Sequence, residues 1–259
     1  MVDLSSFLKN ADEFLQFQRL EEKANISIND YNIMDTNFLD PFWQDMALSI
    51  KNREPSLAVS FFGAYDDAER KIAVYSPDFM QLTEEDFISV VGFKNQFNDI
   101  KHSDCLGKIL SLGINRDHIG DIIVGDEIFF VIKKSIENFL ISEFRDIRRH
   151  SIELKKYELS YFRDFMDKME ENKIFKEKII LIPSLRADAI LSKLFNISRQ
   201  KAQEKISKGE LKINHRVEER ASTEIKLPAL ISLRGYGRVQ IEEEIGLTQK
   251  GKIRIRIRK

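Results

Sequence analysis

The chain has 259 residues, 41 basic and 42 acidic side chains, 42% hydrophobic residues and a single cysteine. That length exceeds one small module and predicts two or three domains, while a lone Cys105 excludes an intramolecular disulfide framework and a cysteine-rich zinc site. No stretch approaches the roughly 18 apolar residues of a membrane span, and the start MVDLSSFLKNADEF has neither a basic head nor an apolar export stretch, so a soluble cytoplasmic protein without membrane contact is expected.

The first 80 residues open with an amphipathic helical pattern on Phe7, Leu8, Ala11, Phe14, Leu15 and Gln18. Leu39-Asp-Pro-Phe-Trp-Gln marks a turn into a second helix running to about Lys51, with Pro41 suited to its first turn. Leu57–Phe62 and residues 72–75 have the composition of strands, joined by Gly63-Ala-Tyr-Asp-Asp-Ala-Glu-Arg70 as a hairpin or a βα unit. From 84 to 158 the pattern alternates more clearly. Strand Phe87–Phe93 precedes helix Ser103–Leu112, and strands Asp121–Val124 and Glu127–Lys133 flank a Gly125-Asp126 turn. Helix Ser135–Ile147 and strand Ser151–Glu158 complete a βαββαβ order, which is ferredoxin-like. Aromatic-rich strands of the kind that stack RNA bases are not evident in it. Residues 161–178 are charged and helix-prone without Gly or Pro, the composition of a semi-rigid connector.

The C-terminal stretch differs in charge. Residues 179–259 hold 18 Lys and Arg against 9 Asp and Glu, whereas residues 1–178 hold 23 against 33. This segregation predicts a polyanion-binding end and an acidic body that phosphates would repel. Within the basic part, two short helical patterns are separated by a break at Asn196–Ser198. Ser198 is placed to cap the second, and Gly209 to end it in a left-handed conformation. Leu191, Leu194, Ala202 and Ile206 can pack the pair together. Lys201, Lys205 and Lys208 recur at i, i+4, i+7 and so form a solvent-facing stripe, with Arg186 and Arg199 near it. A strand, Leu211–Asn214, follows, and Arg234 and Arg238 read as part of a glycine-bracketed strand open to close approach. After a turn at Gly246–Gly251, Ile253, Ile255 and Ile257 alternate with Arg254, Arg256 and Arg258, placing three guanidinium groups on one side of a strand.

Ser184-Leu-Arg-Ala-Asp188, Ser198-Arg-Gln-Lys-Ala202, Gly209, Ile213-Asn214 and Arg234-Gly-Tyr-Gly-Arg238 resemble, in order and spacing, the motifs of the S4 RNA-binding domain. Ala187, His215 and Pro228-Ala229 depart from that pattern at positions of packing and turns. Phe61-Phe-Gly-Ala-Tyr-Asp-Asp-Ala-Glu-Arg70 and the segment His102–Ile122 resemble the YlmH family, and this second resemblance covers nearly the whole chain. Ala64 and Ser103 depart from its usual glycine and arginine.

Together these readings give an α+β chain: an N-terminal α/β segment (1–80), a ferredoxin-like, RNA-binding-domain-like βαββαβ domain (81–160), a connector (161–178) and a C-terminal S4 domain (179–259). The resemblances imply a bacterial factor on the large ribosomal subunit that binds rRNA, with tRNA as a second candidate partner; with the motifs weighed below, a monomeric, non-enzymatic protein is expected. They imply a role in ribosome-associated quality control of subunits obstructed by peptidyl-tRNA. The expected RNA contacts are Arg186, Ser198, Arg199, Lys201, Lys205, Lys208, Asn214, Arg234, Arg238, Arg254, Arg256 and Arg258, with Asn214 fixing either the turn or a sugar–phosphate contact.

Enzyme readings rest on less. His118-Ile-Gly-Asp121 differs in one residue from the HIGH motif of tRNA synthetases, without a nucleotide-binding fold or a second loop to complete it. Asp188 suggests the aspartate of a pseudouridine synthase, the alternative function, but it lies within the S4-like helix itself. Walker A, G-x-G-x-x-G, H-E-x-x-H and C-x-x-C motifs are absent, and the four histidines are dispersed, so no metal or cofactor is expected. Cys105 lies among apolar helical positions and reads as a buried structural thiol.

Overall fold

A computed structural model describes residues 8, 10–97, 99–171 and 177–258. The chain divides into two compact units, Met1–Glu171 and Asn172–Lys259.

In the first unit α1 (Ala11–Asp30) begins at Asn10, whose side chain accepts the Glu13 N–H at 2.9 Å. Its buried stripe is Phe17, Leu20 and Ala24, spaced i, i+3, i+7, whereas Phe14 and Leu15 are about half exposed. The inward face is therefore not the one that the first apolar residues suggest. A helix of this length settles on the stripe that continues farthest along it. Phe7 lies outside the described residues. Strand β1 (Met34–Leu39) was not foreseen, because Asp35, Thr36 and Asn37 break its apolar pattern. Tertiary partners satisfy those polar groups: Asp35 pairs with Lys133 at 2.6 Å, and Thr36 Oγ1 accepts the Ala73 N–H at 2.9 Å. Helix α2 (Pro41–Lys51) starts at Asp40, which caps the Trp43 N–H, with Pro41 in the first turn. Strands β2 (Leu57–Phe62) and β3 (Lys71–Pro77) pair antiparallel, and β1 lies on the other side of β3.

A four-stranded sheet follows. Its elements are β4 (Ile88–Lys94), α3 (His102–Ser111), β5 (Ile119–Val124), β6 (Glu127–Lys133), α4 (Glu137–Glu143), a two-residue pair β7 (Asp146–Ile147) and β8 (His150–Ser151), and β9 (Lys155–Tyr157). The order is β5-β6-β4-β9 with every neighbour antiparallel, the arrangement a split βαβ unit generates. The helix expected to reach Ile147 stops at Glu143. Phe144 and Ile147 turn into the core, and Arg148 takes a positive φ of 55° to make the bend. That small hairpin consumes the start of the expected strand 151–158, leaving three paired residues in β9.

Both faces of this sheet are buried. Val91, Phe93, Ile128, Phe130 and Ile132 pack under α3 and α4 with Cys105, Ile109 and Leu140. Ile88, Val90, Phe129 and Val131 point the other way, against Ile72 and Val74 of β3, Phe38, and the next helix, α5 (Leu159–Glu171). Helix α5 corrects the connector reading. Leu159, Phe162 and Met166, spaced i, i+3, i+7, are buried in the first unit, while the charges of that segment face solvent. Of the remaining connector, residues 172–176 lie outside the described residues and Glu177 begins a strand of the second unit. Burial of Cys105 pushes its thiol up to about 12, far from a nucleophile's range.

The segment Gly63–Arg70 is docked onto β5. Asp121 accepts hydrogen bonds from the Tyr65 hydroxyl (2.8 Å), the Glu69 N–H (2.8 Å) and the Arg70 N–H (3.3 Å). The Arg70 guanidinium donates to the carbonyls of Ile119 (3.0 Å) and Phe38 (2.9 Å). Gly120 lies under the Phe38 ring, and a Cβ there would come within 2.7 Å of it. The His118-Ile-Gly-Asp121 run is thus a packing and docking element, with Ile119 fully buried.

The second unit runs β10 (Glu177–Ile182), α6 (Ala187–Leu194), α7 (Arg199–Ser207), β11 (Leu211–Ile213), β12 (Arg216–Val217), β13 (Ala229–Leu233), β14 (Gly237–Leu247) and β15 (Ile253–Arg258). The strands form one antiparallel sheet ordered β10-β15-β14-β13-β11-β12. Strand β10, unforeseen, gives β15 its second neighbour. Ala187, Ile190 and Leu191 of α6 and Ala202 and Ile206 of α7 pack on one face of this sheet, against Leu211, Ile231, Leu233, Val239, Ile241 and Ile255. Among the described residues no helix is long and apolar enough to cross a membrane.

Gly120→Ala should lower the stability of the first unit by about 1–3 kcal/mol, since the Phe38 ring must give way to the new methyl. Urea unfolding measures it; an unchanged midpoint would show that Gly120 is not needed for this close packing.

Candidate nucleic-acid interface

Two short helices need a reason to stay together, and α6 and α7 have one beyond their apolar contacts. Asp188, in the first turn of α6, is fully buried. Its carboxylate accepts from the Arg186 guanidinium (3.2 Å twice), the Arg199 guanidinium (3.0 and 3.1 Å) and the Gln203 amide (2.9 Å). Burial alone would raise its pKa. The donors from Arg186, Arg199 and Gln203, with the charge of Arg199, outweigh burial and hold the carboxyl below the usual carboxylate range. Arg186 and Arg199 remain about half exposed at 42% and 53%, so each is tied at one edge and open at the other. The sequence pattern places both near the basic face but does not reveal this clamp, because its partners are 2, 11 and 15 residues from Asp188.

The lysine stripe divides. Lys201 and Lys208 are exposed, as expected. Lys205 corrects the solvent-facing reading: only 20% exposed, it reaches Glu210 at 2.6 Å and lies over the Tyr236 ring at 5.2 Å. Glu210 is held below the usual carboxylate range, mainly by the Lys205 hydrogen bond, then by the charges of Lys205, Lys208 and Arg234. Arg234 is exposed and sits in the turn between β13 and β14, where Leu233 pairs with Gly237; Gly235 and Gly237 take φ values of 82° and 94°. The glycine-bracketed segment is therefore a hairpin turn, with the strand starting only at Gly237. Its Arg234 N–H donates to the Glu210 carbonyl at 3.1 Å, which holds the turn beside the end of α7. Lys201, Lys208 and Arg234 thus share one side of the unit.

Two expected contacts have backbone duties. Ser198 Oγ accepts the Lys201 N–H at 3.1 Å and caps α7. Asn214 and His215 form the two-residue turn between β11 and β12, both at positive φ (48° and 69°), and Asn214 Oδ1 accepts the Leu230 N–H at 2.8 Å. Of the two roles considered for Asn214, the geometry supplies the turn.

Arg238, Arg254, Arg256 and Arg258 lie elsewhere. Inward residues of their strands meet the helices, so the alternating arginines project from the opposite face of the sheet. Arg238 shares a cross-strand row with Ser232 and Lys212, a basic position the sequence reading missed. Arg256 pairs with Glu243 at 2.9 Å and Arg258 with Glu242 at 2.6 Å, so part of the arginine row is neutralised within the sheet. Arg254 is exposed, in register with Gly246 and Leu181. The expected residues therefore divide: those of the helices lie on one side of the sheet, Arg238, Arg254, Arg256 and Arg258 on the other, and Asn214 and Arg234 in turns between strands.

Asp188→Asn should destabilise the second unit by about 1–3 kcal/mol at neutral pH. A carboxyl with a lowered folded pKa stabilises above its unfolded value of about 3.9, and that contribution fades as pH falls towards the folded value. The stability gap between wild type and Asp188→Asn, followed by urea unfolding, should hold above about pH 5 and narrow below about pH 4. A gap independent of pH would refute the clamp.

Residues 83–161 match the family model described as "Putative RNA-binding domain in YlmH". The chain is 27% identical over 248 residues to "Ribosome-associated protein quality control protein P2" of Bacillus subtilis (strain 168), covering 94% of this chain and 91% of that protein. It also shares its fold with a solved structure, "Cell division protein ylmH from Streptococcus pneumoniae", at a TM-score of 0.52 and 21% identity, over 61% of this chain and 98% of that one. The chain thus carries a segment that matches the YlmH RNA-binding model, is similar along nearly its full length to the Bacillus subtilis protein, and shares a fold with the Streptococcus pneumoniae structure.

Proposed function

We propose that this chain is a non-enzymatic RNA-binding factor of ribosome-associated quality control, acting on large ribosomal subunits obstructed by peptidyl-tRNA. In this reading residues 179–259 are an S4 domain that anchors to RNA phosphates, and the acidic part before it selects the ribosomal state. The observation that carries the proposal is the edge where exposed Lys201, Lys208 and Arg234 stand on a frame fixed by the Asp188 clamp and the Lys205–Glu210 pair. Cations held on a rigid frame lose little conformational freedom on meeting phosphates. Arg254, Arg256 and Arg258 are the weaker anchor, because two of them must first release Glu243 and Glu242. The name of the Bacillus subtilis relative supports the quality-control setting.

A pseudouridine-synthase-like enzyme is disfavoured by the same geometry. Its candidate aspartate, Asp188, is fully buried and has two guanidinium groups and an amide on its oxygens, so it has no path to a uridine.

Binding of the full chain to rRNA or isolated large subunits should fall steeply with salt. The double variant Lys201→Ala/Lys208→Ala should reduce the log–log salt slope by about 2 without lowering the melting temperature. Sedimentation should favour subunits that still hold peptidyl-tRNA over empty ones, with nucleoside composition unchanged by mass spectrometry. An unchanged slope would remove the anchor, equal sedimentation the quality-control role, and a new stoichiometric nucleoside the non-enzymatic reading.

A further inference from the structure

The domain matched by the RNA-binding family model has no open sheet face. The residues an RNA-binding sheet would present outward, Ile88, Val90, Phe129 and Val131, are at most 1% exposed beneath β3, Phe38 and α5. RNA contact by this domain therefore lies off the two faces of its sheet. One edge carries a built cavity. Strand β4 continues to Lys94, but β9 pairs only with Val90, Val91 and Gly92. Where β4 outruns β9, a cavity of about 290 Å³ opens.

Its apolar walls come from Phe93, Phe97, Ile152 and Tyr157. Lys94, Lys155 and Gln96 stand at the same opening and are exposed. Phe97 is held in place: its N–H donates to Asn95 Oδ1 at 3.1 Å, and its ring stacks on His150 at 3.8 Å and 17°. His150 is fixed in turn by Asp99 at 2.9 Å. The cavity lies at the lower end of small-molecule pockets, roughly 300–1,000 Å³, room for one ring system and not for a helix. Aromatic walls, a neutral amide and flanking ammonium groups match a flat base with phosphates on either side. One carboxylate, Glu153, is also at the rim, 3.9 Å from Lys155, but it is 83% exposed and free to swing into water.

We propose that this cavity receives a single unpaired nucleobase of RNA, packed against Phe97 and Tyr157, with Lys94 and Lys155 on the neighbouring phosphates and Gln96 on the base edge. The site gives the first unit a means of RNA selection independent of bulk charge, consistent with an acidic body that phosphates otherwise repel. It rests on the RNA-binding reading above.

The test uses the full chain and a short single-stranded RNA carrying one 2-aminopurine, at roughly 0.3 M salt, where phosphate contacts are weakened. Binding should quench the 2-aminopurine, and a fully paired duplex with the same label should show no such quench. Phe97→Ala should weaken the quench-linked affinity by roughly 5- to 100-fold, while Phe97→Trp retains it. Gln96→Trp fills the mouth from an exposed position and should abolish the quench even if Phe97→Ala proves unstable. The Lys201→Ala/Lys208→Ala variant should weaken total binding yet leave the saturating quench intact, which separates this site from the C-terminal anchor. RNA that binds with a quench surviving both Phe97→Ala and Gln96→Trp overturns the cavity but leaves the RNA reading standing. Absence of any RNA binding by the wild type at low salt overturns both.

Discussion

Burial of both faces of the four-stranded sheet governs the first unit. Strands β4 and β6 place apolar side chains alternately under α3 and α4 and against β3, Phe38 and α5, with no polar face left over. Strands with such sequences, Ile-Ser-Val-Val-Gly-Phe and Ile-Phe-Phe-Val-Ile, read as near-continuous apolar runs because neither face meets water. The consequence is functional as well as structural. A domain of this topology can use its open sheet face as a platform for bases, and here that face is spent on holding the N-terminal sheet and α5. What stays open is the sheet's periphery, where the short β9 exposes the end of β4 beside a fixed aromatic ring.

The second unit solves a different problem. Two helices of eight and nine residues have little intrinsic stability, and a cluster of cations on them adds repulsion. The buried Asp188 carboxylate gathers Arg186, Arg199 and Gln203, and Glu210 gathers Lys205 within reach of Lys208 and Arg234. Each carboxylate offsets part of the local positive charge, Asp188 orienting Arg186 and Arg199 and Glu210 orienting Lys205. The result is a surface with fewer free charges than its composition suggests. Removing a single partner leaves a buried charge under-satisfied, so the clamp is sensitive to substitutions that look conservative on the surface.

The two faces of the second unit have unequal claims on a polyanion. On the helix side Lys201 and Lys208 project freely into solvent. On the outer sheet face Arg256 and Arg258 are matched by Glu243 and Glu242, as expected of a strand whose charges keep a sheet soluble. A single straight duplex cannot lie against both faces at once. Lys212 and Arg238 share one cross-strand row on the sheet side with Ser232, and both are exposed.

What the sequence by itself determined is the local physics. Caps at Ser198 and Asp40, the left-handed stop at Gly209 (φ 67°), the Gly125-Asp126 hairpin, the strands around it and the opposite charges of the two chain halves are each written in a few neighbouring residues. The order and spacing of motifs likewise made the YlmH resemblance legible before any coordinates. Tertiary structure decided whatever depends on partners distant in the chain. Strand β1 forms although its pattern is polar, because Lys133 and Ala73 satisfy it. Helix α5 packs into the first unit instead of bridging away, because a three-residue apolar stripe finds an open face among many charges. Arg199 and Lys205 look alike in the sequence as surface cations, yet one is tied to a buried aspartate and the other covered by a glutamate and a tyrosine ring. Charge counts and periodicities register what a residue is. Which charges remain free to meet a ligand depends on counter-ions brought within a few ångströms by folding, and no local pattern encodes that distance.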